Sequence, residues 1–306
     1  MASPAASSAL ASTWNRFRVW DLTAVQLRTS LDRWRVRTLI LAVAGAVLVT
    51  LGQQLGSLSG WPGYLGKFAS VGGAIAIAVS AYFAGQALSN ENVQNWTKSR
   101  SVAESLKAAT YLYRTGIPPF DGADRDAKLV DRRAAIEEAV DGIEPVAAPA
   151  GEEVPNQSSM SVDNYITLRV NDQIDGFYRK RAAEYQQKTA SLRQLIFWLG
   201  AVPVILGAAS AKKPSAAAWS AVVATVIASL TSYVQGQRYQ GLSTAYLSTA
   251  RRLEMLRDKW AASPKSDDSK KSFIQSCEDT MALENGAWVT QWSQRKPADQ
   301  KPSNTQ

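Results

Sequence analysis

Residues 68–90 read FASVGGAIAIAVSAYFAGQALSN, twenty-three positions without one charged side chain. A helix rises 1.5 Å per residue, so this run would reach about 35 Å. Roughly 20 apolar residues are enough to cross ~30 Å of hydrocarbon. One ionised residue at mid-bilayer costs about 2.5–3.5 kcal/mol, so an uncharged run this long reads as a membrane span. Three more charge-free windows lie at Thr38–Gly66, Gln194–Ala211 and Pro214–Gln237. The four spans are predicted at about 38–55, 68–88, 192–211 and 216–234. The mean hydropathy of -0.17 looks soluble, but it averages these windows with heavily charged flanks. Four buried helices of a soluble bundle are the alternative, and runs this long weigh against it.

The segments between the windows carry helical patterns. Trp20, Ala24, Leu27, Leu31 and Trp34 form a stripe leading into the first span. Gly56–Lys67, which contains Trp61-Pro62-Gly63, and Lys212-Lys213-Pro214-Ser215 read as hairpin turns. After the second span a polar helix runs through Trp96, Ala103, Leu106 and Tyr113 to Gly116, ahead of Pro118 and Pro119. Asp121–Glu144 is expected to be one short helix, followed by an exposed linker with Pro145, Pro149, Gly151 and Pro155. Ser161 starts a long helix through Tyr165, Leu168, Ile174, Phe177 and Tyr185 into the third span. Tyr239, Leu242, Tyr246, Thr249, Leu253, Leu256 and Trp260 then repeat at +3 and +4, a heptad seam that wants a helical partner. The last helix carries Phe273, Cys277, Met281, Trp288 and Trp292.

The two halves therefore share one hydropathic plan, offset by about 150 residues. The expected fold is all-α: a polytopic membrane protein with two transmembrane helical hairpins, continued by long cytoplasmic helices that form a bundle. The expected domains are residues 1–116, a charged helix and Pro-rich linker at 117–160, and residues 161–306.

Composition narrows the function. The 306 residues include no histidine and one cysteine, which excludes Ser-His-Asp and Cys-His catalysis and histidine metal sites. The net charge of +8 would suit nucleic acid or anionic lipid. Its distribution decides between them. Sixteen lysines and arginines flank the span ends on the side of the termini and linker, against Lys67, Lys212 and Lys213 in the turns. By the positive-inside rule the turns face out, both termini are cytoplasmic, and the charge records topology rather than nucleic-acid binding. Residues 1–13 lack the basic and long apolar regions of a secretory signal. Gly60–Lys67 superficially suggests a phosphate loop, but its spacing is one residue too long and Phe68 stands where Ser or Thr is needed. No cofactor and no metal is expected.

Several short motifs resemble a known family. They are Trp96, the run Ala103-Glu104-Ser105-Leu106-Lys107, and Tyr111-Leu112-Tyr113-Arg114-Thr115-Gly116 in the first half. In the second half they are Tyr165, Arg169-Val170, Asp172-Gln173-Ile174, Phe177-Tyr178, and Cys277-Glu278-Asp279 through Glu284-Asn285 to Trp288. In these the chain resembles the SLATT family, two-span membrane effector domains associated with SMODS nucleotidyltransferases and SLOG sensors in bacterial conflict systems. The resemblance implies two tandem copies in the bacterial inner membrane. It further implies a non-enzymatic, pore-forming or membrane-perturbing effector, driven by a cytoplasmic sensor or nucleotide-signal-generating partner. A scaffold that tethers a signalling partner is the alternative.

Small residues recur inside the spans. Gly72, Ala76, Ser80 and Ala84 stand at every fourth position of the second span, and Ala217, Ala221, Thr225 and Ser229 of the fourth. Such ladders let helix backbones approach closely, because lipid offers no hydrophobic drive to associate. They serve packing within each hairpin, or Thr225, Ser229 and Ser232 line a wet path in a homo-oligomer. Glu284 and Asn285 read as a polar bundle contact, or a contact to Arg251 or Arg252, ahead of a catalytic pair.

Overall fold

The computed structural model describes residues 8–87, 89–147, 159–211 and 215–293, without the side chains of 215 and 287–293. The Lys212-Lys213-Pro214 turn, the linker residues Pro149, Gly151 and Pro155, and the side chains of Trp288 and Trp292 lie outside the described residues. Every regular element among the described residues is helical. Helix α1 spans Ser8–Gly56, α2 Trp61–Ala87, α3 Asn90–Thr115 and α4 Arg125–Glu137. A four-residue α5, Val162–Tyr165, a π-helical stretch Ile166–Arg179, and α6, Lys180–Ser210, make one continuous 49-residue helix. Helix α7 spans Ser215–Gln237, α8 Tyr239–Ala262 and α9 Asp267–Ser293.

Each half opens with a helix of 49 residues, turns, returns through a spanning helix, and continues in a helix of 26 or 24 residues. Among the described residues four helices are long and apolar enough to cross a membrane. The helix ends follow from local chemistry. The Ser161 hydroxyl accepts the Asn164 N–H at 3.2 Å, the expected N-cap. Gly116 ends α3 at φ +62, where Tyr113 and Leu112 carbonyls accept the N–H groups of Gly116 and Ile117. Between α7 and α8 the chain bends at one residue, Arg238, with φ +50.

Four expectations change. The first turn is confined to residues 57–60, and Trp61, Pro62 and Gly63 open α2. The segment 121–144 is helical only over α4 and one 3-10 turn, Glu138–Val140. The Gly122–Asp124 turn delays its start, and Gly142 at φ +82 lies beyond its end. Leu168 does not belong to the buried stripe; it is 53% exposed, and Arg169 and Val170 occupy its place. In the stretch from Tyr165 to Ala182 the buried positions fall at 165, 169/170, 173/174, 178 and 182. That spacing is wider than the 3.6 residues of an α-turn, and the π-helix accommodates it. The seam of α8 is buried through Leu253, but Leu256 and Trp260 are only half-buried.

The chain divides into two compact units. The first comprises Met1–Arg28, Asn90–Ile174 and Thr249–Gln306. Its core gathers Leu10, Trp20, Leu106, Tyr113, Phe120 and Leu129, all at most 3% exposed. Helix α3 packs against both α4 and α9 here. The second unit comprises Thr29–Ser89 and Asp175–Ser248, and holds the four apolar windows. Its large apolar side chains point outward, among them Trp61 at 73%, Phe68 at 75% and Phe197 at 71%. Outward apolar residues along charge-free helices are what lipid solvates.

Candidate functional site

Within the second unit, the first hairpin is held by backbone proximity. A Cβ added at Gly73 would lie 2.6 Å from the Gly45 carbonyl oxygen and 2.7 Å from the Val49 nitrogen. One added at Gly52 would lie 2.3 Å from the Ser70 hydroxyl and 2.5 Å from the Gly66 carbonyl. Ser80 donates its hydroxyl to the Thr38 carbonyl at 2.8 Å. The face of α2 that meets α1 thus runs Gly66, Gly73, Ser80, a seven-residue repeat. Of the four-residue ladder, Ser80 lies in this seam, Ala76 and Ala84 are half-buried, and Gly72 faces open space. In the second hairpin α6 packs along α7, which turns Val222 and Leu230 inward. Ala217, Ala221, Thr225 and Ser232 are exposed on α7, and Ser229 is half-buried. Thr225 gives its hydroxyl proton to the Ala221 carbonyl at 2.9 Å. At a span end, Trp34 stacks on Phe83 at 4.7 Å with the Arg37 guanidinium over Trp34, an interfacial aromatic and basic pairing.

The first unit holds a buried ionic centre. Arg169, on the π-helical stretch, donates from Nε and Nη2 to the two carboxylate oxygens of Glu278 at 3.1 and 2.9 Å. The side chains are 1% and 3% exposed. The Tyr165 hydroxyl donates to Glu278 Oε1 at 3.0 Å, and Tyr111 lies under the guanidinium at 5.0 Å. Burial and the adjoining Glu278 push the Tyr165 phenol well up. Burial opposes the Arg169 charge, but Glu278 outweighs it and holds the guanidinium protonated. Arg169 Nη1 is buried without a hydrogen-bond acceptor. Such an orphan costs about 1–3 kcal/mol, so the centre is not fully satisfied.

A second ionic group adjoins it on α3. Glu104 pairs with Arg100 at 2.5 Å, and Arg100 also reaches Asp21 at 3.1 Å. Burial would raise the Glu104 carboxyl, but Arg100, Lys107 and Arg169 together pull it below the usual range. Burial, Arg169 and Arg100 lower the Lys107 amine against the pull of Glu104. On α9, burial lifts Glu284 to about 7, with Arg100 opposing and Glu104 adding to the rise. Glu284 therefore answers to Arg100 and Glu104; Arg251 and Arg252 are exposed. The burial of Cys277, next to Glu278, holds its thiol well up, so it is inert.

The other motif residues fall in the same unit or in the aromatic cluster of the second. Trp96 is buried under the Arg28 guanidinium at 5.2 Å. Tyr113 is buried, bonds Asp126, and carries Arg125 over its ring. The Arg114 carbonyl accepts the Met160 N–H at 2.7 Å. Gln173 is buried and Asn285 half-buried, while in the second unit Tyr178 packs on Tyr246 at 5.7 Å. A cavity of about 450 Å³ opens among α3, α9 and the π-stretch, with Glu104, Arg169, Glu278, Phe120 and Asn285 in its wall. Glu278 was quoted within a motif but not singled out. Its signal was an acid on the stripe Ile274, Glu278, Met281, facing an arginine on the stripe of the preceding long helix. Among the described residues no group of side chains is arranged to hold a metal ion.

Two long helices, two hairpins and an ionic bundle unit frame the comparison with known families. Residues 165–288 match the SMODS and SLOG-associating 2TM effector domain 1. The second half of the chain is similar to the SLATT family. Residues 18–128 match a protein family of unknown function, DUF4231. No curated protein and no solved structure matches. The SLATT match runs from Tyr165 through the third and fourth spans to Trp288, so it includes Arg169 and Glu278. A two-transmembrane effector domain agrees with one hairpin in that half, and the four apolar helices mark a membrane protein.

Proposed function

We propose that this chain is a bacterial inner-membrane effector of a conflict system, built from two tandem SLATT-like two-span domains. Its charged helices lie in the cytoplasm, with both termini. There they receive a signal from a sensor or a nucleotide-signal-generating partner. Oligomers of the hairpins then permeabilise the membrane. The observation that carries this reading is the effector-domain match laid over a two-span hairpin, in a chain whose first half repeats the same helix plan.

The spans support a weakly selective or apolar-gated path, since the four windows contain no charge. Four spans enclose little lumen, so permeation requires several copies. The uncovered face of α7, with Ala221, Thr225 and Ser232 outward, suits close contact between copies. Interhelical Ser/Thr hydrogen bonds average only about 0.6 kcal/mol, so they tune such a contact and do not drive it. The absence of histidine and of a phosphate loop favours a non-enzymatic role.

The test is inducible expression in bacterial cells carrying a membrane-potential dye, with and without the genes that accompany this one. Depolarisation that depends on the partner is expected. An intact potential at high expression with the partner present defeats the permeabilising role. Stable capture of the partner without leakage would point to a scaffold.

A further inference from the structure

The cavity of the first unit has no part in spanning the membrane, yet it is built unlike a packing defect. Its volume of about 450 Å³ lies within the range of small-molecule sites. Packing defects are apolar. This wall carries Glu104, Glu278 and Asp279 beside Arg132 and Arg169, together with Phe120 and Met281. Nη1 of Arg169 lacks an acceptor, in a side chain that is 1% exposed.

We infer that this cavity binds a neutral, planar heterocycle with a lactam edge, as in a nucleobase or its nucleoside. The chemistry of the wall selects that class. Glu104 and Asp279 hold donors from Arg100 and Gln275 and keep lone pairs for further N–H donors, while Arg169 Nη1 wants an oxygen acceptor. A lactam presents both side by side, and arginine and carboxylates are the side chains that read base edges. Ala108 and Leu112 of α3, both half-buried, and the exposed Pro119 offer apolar surface for the ring faces. A bare phosphate would have to enter against the carboxylates that outnumber the wall arginines. A polyamine would meet Arg132 and Arg169. The site lies between the π-stretch that carries Arg169 and the helix that carries Glu278, so an occupant would touch the centre that ties the two together.

The inference goes beyond the membrane role and stands apart from it, because binding and depolarisation are read in separate assays. The full chain in detergent micelles is titrated calorimetrically with inosine and uridine, and with inorganic phosphate and spermidine as controls. One saturable site for inosine or uridine is expected. Ala108 sits half-buried in the cavity wall, so Ala108→Leu grows into the void. It should weaken binding at least tenfold while leaving the unliganded melting midpoint near that of the parent. Ala282→Leu, exposed on the α9 side of the same cavity, repeats the test from the opposite wall. The inference is overturned if neither nucleoside binds, if both variants bind as the parent does, or if phosphate or spermidine occupies the site instead.

Discussion

Two adjacent glycines of α2 should respond oppositely to the same change. Gly73→Ala puts a Cβ 2.6 Å from the Gly45 carbonyl oxygen, 2.7 Å from the Val49 nitrogen and 2.8 Å from a Val49 methyl. Ordinary contact begins near 3.4 Å, so the helices must part by about 0.8 Å. Two of the three obstacles are backbone, which has no rotamer to yield. A gap of that size forfeits a quarter to a half of each dispersion contact along the seam. Overpacking of this kind costs about 1–3 kcal/mol. Gly72→Ala meets nothing within 4 Å. It gains the helix preference of alanine over glycine, at most about 1 kcal/mol. Gly73→Ala gains the same preference, so the two variants should differ by the overpacking cost, about 1–3 kcal/mol, with Gly73→Ala the weaker. Reversible unfolding in mixed dodecylmaltoside and SDS micelles, followed by far-ultraviolet circular dichroism, measures this. Equal stabilities, or Gly72→Ala as the weaker protein, would refute the packing register deduced for the first hairpin.

Glu278→Gln should destabilise the first unit by about 3–5 kcal/mol, because it leaves the Arg169 charge buried and unpaired. Arg169→Met with Glu278→Leu should recover most of that loss, and denaturant melts of the three proteins compare them directly. Glu284 has a folded value near 7 against an unfolded value near 4.5. Its carboxyl thus favours folding below about pH 4.5, and that contribution disappears as pH rises towards 7. Glu284→Gln should flatten the fall in stability across this window and melt higher than the parent at pH 8, by up to about 3 kcal/mol. A parallel pH profile for both proteins would count against the burial of Glu284. Ser59→Cys, exposed in the first turn, should react with a membrane-impermeant maleimide in intact spheroplasts. The native Cys277 is buried and will not contribute. Labelling of Ser59→Cys only after lysis would reverse the proposed orientation.

The spans were legible because the membrane leaves few alternatives. A charge-free run longer than twenty residues must satisfy its own backbone, and a helix does so locally. The hairpin seam was less legible. A four-residue ladder and a seven-residue seam share Ser80, and small residues on both faces of α2 make the two patterns compete in the sequence. Only the close backbone approach at Gly66 and Gly73 separates them. Leu168 shows a different failure. A helical stripe assumes 3.6 residues per turn, and the π-stretch widens that turn beneath it. The widening moves a leucine out and an arginine in.

That exchange makes sense only with α9 in place. A buried arginine is costly unless a carboxylate with matching geometry meets it, and Glu278 supplies two oxygens and a third bond from Tyr165. Replacing such a pair with well-packed apolar residues is often neutral or stabilising. The pair is therefore weak evidence for stability and stronger evidence for a requirement other than stability. Its members stand on a π-stretch, a form found often at functional sites, and on a helix separated from it by over a hundred residues. Both line the cavity, and beside them stands a carboxyl poised near neutral pH. A unit that only held the spans together could carry apolar residues at both positions with little loss of stability. Under the proposed role, the ionic centre is where a signal reaching the bundle would find something to change.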